Sequence, residues 1–187
     1  MCKKRAQKRL VVVALIFLSI AIVSALVADL GSRHFRAKRE RSVYTTVLGA
    51  AESFGVSPAI VLAVIRTESD FYPRALSPVG AIGLMQILPE TFAYLRDEHL
   101  KENLSDEALW EPEVNVRYGT YYLSYLFERF HNWPVALAAY NAGPARVEAW
   151  LKDPSYSKNG VLTDIPYKET SDYVKKVSFL IKIYEKI

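Results

Sequence analysis

The feature that most restricts this chain is an uninterrupted apolar run from Leu10 to Ala28, in which Ser19 and Ser24 are the only polar residues. As a helix its 19 positions rise roughly 28 Å, close to the hydrocarbon thickness of a bilayer. A cleaved signal peptide has a shorter apolar region, about 7 to 15 residues. Val23-Ser24-Ala25 would suit cleavage, but the length of the run favours a retained anchor. Lys3, Lys4, Arg5, Lys8 and Arg9 precede the run with no acidic residue among them, which predicts a cytoplasmic flank over 1–9 and a span over 10–30. The rest of the chain then lies on the far side of the membrane. A basic juxtamembrane linker, 31–41, follows with Arg33, Arg36, Lys38, Arg39 and Arg41; it reads as a solvated helix start or a contact with anionic headgroups.

The anchor also explains the charge. The 187 residues carry a formal net charge of +4, but residues 1–41 hold +8 and residues 42–187 hold −4. Nucleic-acid binding needs clustered cations on the folded surface, so it is not expected of a domain with this balance. A hydrophobic content of 51% excludes a disordered chain. Cys2, the one cysteine, precedes the span, so the folded part has neither a disulfide nor a thiol nucleophile.

Residues 42–187 carry a helical pattern almost throughout, which predicts a mainly α domain, a compact bundle of short helices. Val43, Val47, Ala50, Ala51 and Phe54 mark one amphipathic stretch that stops at Gly55. Ser57 and Pro58 read as N-cap and first residue of a helix whose Ala59–Ile65 stretch is apolar on every side and therefore buried. Further helices are expected from Pro112, over Pro134–Tyr140 and Ala145–Leu151, and over Glu169–Tyr184 with Thr170 or Ser171 as its cap.

Chemistry should lie where polar residues interrupt these faces. Glu68 follows Val64 by four residues and Val61 by seven, so it continues their buried face at the C-terminal end of the helix. Desolvation and the helix dipole both raise the proton affinity of a carboxylate placed there, as a general acid near neutral pH requires. The bland alternative is a helix-end Glu paired with Arg66 or Arg74. Three other segments stand out: Ser77 to Pro89, with two glycines among apolar residues and Ser77 and Gln86 as its polar groups; Ala139-Tyr140-Asn141-Ala142-Gly143-Pro144; and Glu169-Thr170-Ser171-Asp172-Tyr173-Val174. Taken singly, each also reads as a connector, a helix break or a helix start. His34, His99 and His131 are isolated, and no metal-ligand spacing or cofactor motif is visible.

In order and spacing these segments resemble the soluble-lytic-transglycosylase (SLT) catalytic domain, a lysozyme-like fold of glycoside hydrolase family 23 related to goose-type lysozymes. Glu68-Ser69 matches that family's catalytic Glu-Ser pair, and Gly83-Leu84-Met85-Gln86 its Gly-Leu-Met-Gln motif. Ala139 to Gly143 matches Ala-Tyr-Asn-Ala-Gly, and Glu169-Thr170 with Tyr173-Val174 matches Glu-Thr-x-x-Tyr-Val. The resemblance implies a catalytic domain over 42–187 that cleaves the β-1,4 bond between N-acetylmuramic acid and N-acetylglucosamine in peptidoglycan. It assigns Glu68 as the catalytic acid and base. Ser77, Met85, Gln86, Tyr140, Asn141 and Tyr173 are its implied substrate-binding residues, with Ser69, Gly83 and Glu169 in support. Its implied partners are glycan strands and, through residues 10–30, the lipid bilayer of a bacterial cell; no metal or cofactor is implied. A hydrolytic muramidase on the same scaffold and a catalytically idle wall-binding module are the alternatives. The partition of charge predicts that a fragment beginning at Ser42 stays in solution without detergent and binds an anion exchanger at pH 7, checked by chromatography beside the full chain.

Overall fold

The computed structural model describes the backbone of residues 2–186 and the side chains of residues 15–186. The cationic side chains of the 1–9 flank, Cys2 and the first five side chains of the apolar run lie outside the described residues. The chain divides into two compact units, Met1–Glu40 and Arg41–Ile187.

The first unit belongs to helix α1 (Cys2–Phe54), whose apolar stretch is long enough to cross a membrane. Its described apolar side chains, among them Phe17, Leu26 and Leu30, are exposed. Apolar side chains exposed over this length are compatible with a lipid surrounding.

The second unit is helical, as its pattern predicts. It comprises the last turns of α1, then α2 (Pro58–Glu68), α3 (Pro89–Tyr94), α4 (Pro112–Phe130), α5 (Trp133–Ala142), α6 (Pro144–Lys152) and α7 (Lys168–Tyr184). A π-helical segment, Leu95–Leu100, continues α3, and a 3₁₀ turn spans Asp106–Trp110. A two-stranded antiparallel hairpin, β1 (Ser157–Lys158) and β2 (Val161–Leu162), separates α6 from α7.

Helix α2 is the centre of the domain, with every side chain from Ala59 to Ile65 buried. It packs chiefly on α7, while α5 touches α4, α6 and α7. Gly55, at φ 65°, ends α1, and the Val56 amide donates to the Ala51 carbonyl at 3.0 Å, the six-to-one bond of a left-handed helix stop. Ser124 of α4 donates to the freed Phe54 carbonyl at 2.9 Å, so the stop is tied to the core.

Two expected caps are not made by side chains. Ser57 contributes only its carbonyl, which accepts from Ile60 and Val61, because Pro58 already sets the entry angle. Helix α7 starts one residue before Glu169, with Tyr167 at the cap position, and the Thr170 hydroxyl is spent on another helix. On α4, Gly119 allows the Met85 side chain to lie against the helix backbone; a Cβ there would overlap Met85 Sδ, Cβ and Cε. Gly119→Ala is therefore expected to lose roughly 1–3 kcal/mol by overpacking, read as a lower urea midpoint with an unchanged m-value.

Candidate active site

The site begins where α2 ends. Ser69 closes the helix with an amide bond to Ile65 at 3.0 Å, and its hydroxyl reaches the Leu84 carbonyl at 2.7 Å. Asp70 and Phe71 then take left-handed backbone, at φ 49° and 63°, and the Phe71 ring is fully buried. Left-handed backbone is costly for residues with a Cβ, and it turns the chain sharply so that Glu68 is left at the rim of the core.

The chain then forms a loop over 75–87. Ser77 holds it from within: its amide donates to Ala81 and its hydroxyl accepts from the Ala81 amide, both at 2.9 Å. Short antiparallel bridges join Leu76 to Ile82 and Ile82 to Ile87. Gly83 sits at φ 79°, and a Cβ there would overlap the Asn115 amide group, so both the turn and the packing demand glycine. Gln86, also left-handed at φ 49°, donates its Nε2 to the carbonyls of Ala75 and Gly83 at 3.2 and 3.0 Å, leaving its side-chain oxygen free.

Asn115 of α4 is the anchor of this loop. It is buried, its Oδ1 accepts from the Met85 amide at 2.8 Å, and its Nδ2 donates to Ile82 and Leu109 at 2.9 and 3.0 Å. With the Met85 backbone fixed, its carbonyl accepts from the Tyr140 hydroxyl at 2.7 Å. The Met85 side chain is fully buried and packs against Gly119 of α4.

Tyr140 from α5 and Tyr173 from α7 converge on Glu68. Burial is the main cause raising the Glu68 carboxyl from an ordinary 4.5 to about 7; the Tyr173 hydroxyl and the Lys176 cation partly oppose it. The Glu68 charge, added to their own burial, pushes both phenols well above the usual range. Tyr173 faces the carboxylate without a well-aligned hydrogen bond, and its hydroxyl has no other partner. Contacts of this kind commonly tighten only when substrate arrives. Among the described residues, neither Arg66 nor Arg74 forms an ion pair with Glu68, so the bland reading of a helix-end pair does not hold.

Asn141, at the end of α5, accepts from the Thr170 hydroxyl at 2.8 Å, which joins α5 to α7 and leaves its amide hydrogens free. Glu169 is exposed in the first turn of α7. Thr170, next to it, is buried and holds Asn141. Tyr122, one helical turn beyond Tyr118, lies 5.3 Å from Tyr140 ring to ring and extends the aromatic wall. Sequence reasoning missed Asn115, Tyr122, Thr170 and Lys176. A signal for the first existed: Asn115 and Gly119, both poor helix formers, lie four apart on the face of α4 that carries Leu123 and Leu126. A separate hollow of about 620 Å³ opens on another side of α7, around Val135, Leu162, Ile165, Ser171 and Val174, and contains none of these residues. Among the described residues, no group of His, Cys, Asp and Glu could hold a metal ion.

The family model for the transglycosylase SLT domain matches residues 46–161. The chain belongs to this SLT family. It is 40% identical over 126 residues to a soluble lytic murein transglycosylase of Salmonella typhimurium, a match covering 65% of this chain and 20% of that protein. A membrane-bound lytic murein transglycosylase C of Actinobacillus pleuropneumoniae is 29% identical over 168 residues, covering 75% of this chain and 45% of that one. The structure of an inactive Glu-to-Gln mutant of lytic transglycosylase Slt from Pseudomonas aeruginosa superposes with a TM-score of 0.67 at 36% identity, over 76% of this chain and 24% of that one. The chain thus spans about a fifth of the length of the soluble relative and under half of the membrane-bound one. The SLT match ends before Tyr173, whereas the fold extends through α7.

Two outcomes follow for this SLT domain. Asn115→Leu strands the buried Met85 amide and the Leu109 carbonyl, leaves Ile82 with only its bond from Ile87, and is expected to cost roughly 2–4 kcal/mol, read by urea denaturation. Glu68 has a raised pKa in the fold, so its contribution to stability is whole below the unfolded value of 4.5 and is lost as pH rises through about 7. Glu68→Gln should then match wild type at pH 4 and exceed it by about 2 kcal/mol at pH 8, after allowance for the partial exposure of the site.

Proposed function

We propose that this protein is a membrane-anchored peptidoglycan lytic transglycosylase that cuts the bond between N-acetylmuramic acid and N-acetylglucosamine without consuming water. The observation that carries the reading is a carboxyl set beside Tyr140 and Tyr173, Glu68, which burial pushes up to about 7. Among the described residues Lys176 is the charged group acting on it, and no second carboxylate contributes to its proton affinity. A glycosidase with two carboxylates uses one as acid and the other as nucleophile or base. With one, stabilisation of the oxocarbenium-like state must come from the substrate, and the 2-acetamido group is the suitable neighbour.

In this mechanism Glu68 gives its proton to the glycosidic oxygen as the bond from that oxygen to the muramoyl C1 breaks. The acetamido oxygen closes onto C1. Glu68, now a carboxylate, takes the proton of the C6 hydroxyl, whose oxygen displaces the acetamido oxygen from C1. The products are a new 4-hydroxyl and a 1,6-anhydro end, and Glu68 is protonated again. Tyr173 would steady the carboxylate in the second half. Gln86 and Asn141, each with free hydrogen-bonding capacity, would hold the sugars. Ser69, Ser77 and Gly83 keep the loop in place.

The anchor and its topology belong to the same proposal. The apolar part of α1, the cationic flank of 1–9 and a membrane-bound relative support a cytoplasmic N-terminus with the domain facing the wall. The domain's reach is then limited to glycan close to the membrane.

Mass spectrometry of products from purified peptidoglycan tests the chemistry. Species ending in 1,6-anhydromuramic acid are expected, with at least a thousand-fold loss in Glu68→Gln and retained glycan binding. Reducing ends alone, heavier by one water, would convert the reading to a muramidase; unchanged wall phenotypes in Glu68→Gln cells would leave a binding module. The rate should fall as pH rises past about 7, because the initiating proton is lost from Glu68.

A further inference from the structure

Close to Asn141 lies an arginine, Arg146, that pairs with no carboxylate among the described residues. Arg96, Arg117 and Arg129 of the same domain each pair with a carboxylate. Arg146 does not: among the described residues its guanidinium has two contacts, a bond from Nη1 to the Ala142 carbonyl at 2.8 Å and the face of Tyr167, 5.1 Å from the ring centroid. Tyr167 is half exposed and is itself held edge-on by Trp150, ring to ring at 5.3 Å. An exposed Arg fixed at two points has lost its conformational freedom without gaining a counter-ion, and it keeps Nη2 and Nε free to donate.

The position of this pair relates it to the site. Ala142 follows Asn141, and Tyr167 precedes by three residues the Thr170 that binds Asn141. Tyr167 holds the cap position of α7, three residues before Thr170, and Tyr173, beside Glu68, lies three residues beyond Thr170.

We infer that Arg146 and Tyr167 form a subsite, beside Asn141, for a carboxylate carried by the muramoyl substituent. The inference rests on the proposed function, since it assigns a part of the same substrate. In peptidoglycan every second sugar bears a lactyl ether, and either its own carboxylate or one on the attached peptide supplies the anion. The planar guanidinium binds it through two parallel hydrogen bonds, and the Tyr167 ring holds the guanidinium in plane. The subsite therefore distinguishes strands by what they carry, without touching the reacting atoms.

The test compares full-length wild type with Arg146→Gln, Arg146→Lys and Tyr167→Leu on peptide-bearing strands, on strands stripped of peptide by an amidase, and on both with carboxylates amidated. Arg146→Gln is expected to lower kcat/KM about tenfold on strands with a free carboxylate, mostly through KM, and to leave amidated strands unaffected. Arg146→Lys, which keeps the charge but not the fork, should fall between. An effect confined to peptide-bearing strands assigns a peptide carboxylate; one confined to stripped strands assigns the lactyl group, whose carboxyl is free only once the peptide is removed; one on both assigns either carboxylate as a ligand. Equal losses on free and amidated strands, or no loss on any, would overturn the inference while leaving the proposed function intact. A wild type that cleaves none of the four would instead overturn the proposed function.

Discussion

The amide of Asn115 is the interaction on which the rest of the site depends. A helix side chain that accepts one backbone hydrogen bond and donates two more substitutes for strand pairing across a loop that has little of its own. In the dry core each of those bonds is strong, and each group left alone would be costly, so the loop has one well-defined position. The consequences run outward through the Met85 carbonyl to the Tyr140 hydroxyl, and through the Leu84 carbonyl to Ser69 beside Glu68. Gly83 and Gly119 are part of the same arrangement, since each allows a neighbour from this group to come closer than any Cβ would permit.

A site held this tightly can keep a carboxyl in an environment that opposes its ionisation. Burial raises Glu68 far enough to retain a proton near neutral pH, and Lys176 keeps the shift from going further. The same burial makes the ionised form a burden on the fold, so the property that suits proton donation also removes stability at higher pH. Left-handed backbone at Asp70, Phe71 and Gln86 adds to that cost. Its clustering around Glu68 and the motif loop fits a site whose geometry is maintained by the surrounding core rather than by local preference.

The two units divide the work by their chemistry. The first is a helix with an apolar exterior and cationic flanks; the second carries net negative charge and a polar cleft. A basic isoelectric point would suggest a polyanion-binding protein if it were read over the whole chain. Separated by unit, the positive charge belongs to the membrane flanks, and the arginine proposed to bind an anion is a single, positioned group within an acidic domain.

Residues 10–28, the helical periods and the four motifs were legible in the sequence because each is a local pattern: length of apolar run, spacing of apolar residues, or contiguous residue types. The burial of Glu68 was legible too, from its place four residues after Val64 and seven after Val61. What the sequence could not supply was partnership across long separations. Asn115 is 30 residues from Met85, Thr170 is 29 from Asn141, and Tyr140 is 55 from the carbonyl it binds. Thr170 has the composition of a cap; packing decided otherwise, because buried hydrogen-bonding groups must find partners and the nearest one lies on another helix. Sequence by itself determined the long apolar helix, the helical domain and the buried place of Glu68; only the tertiary structure decided which side chains surround that carboxyl, because their partnerships span distant parts of the chain.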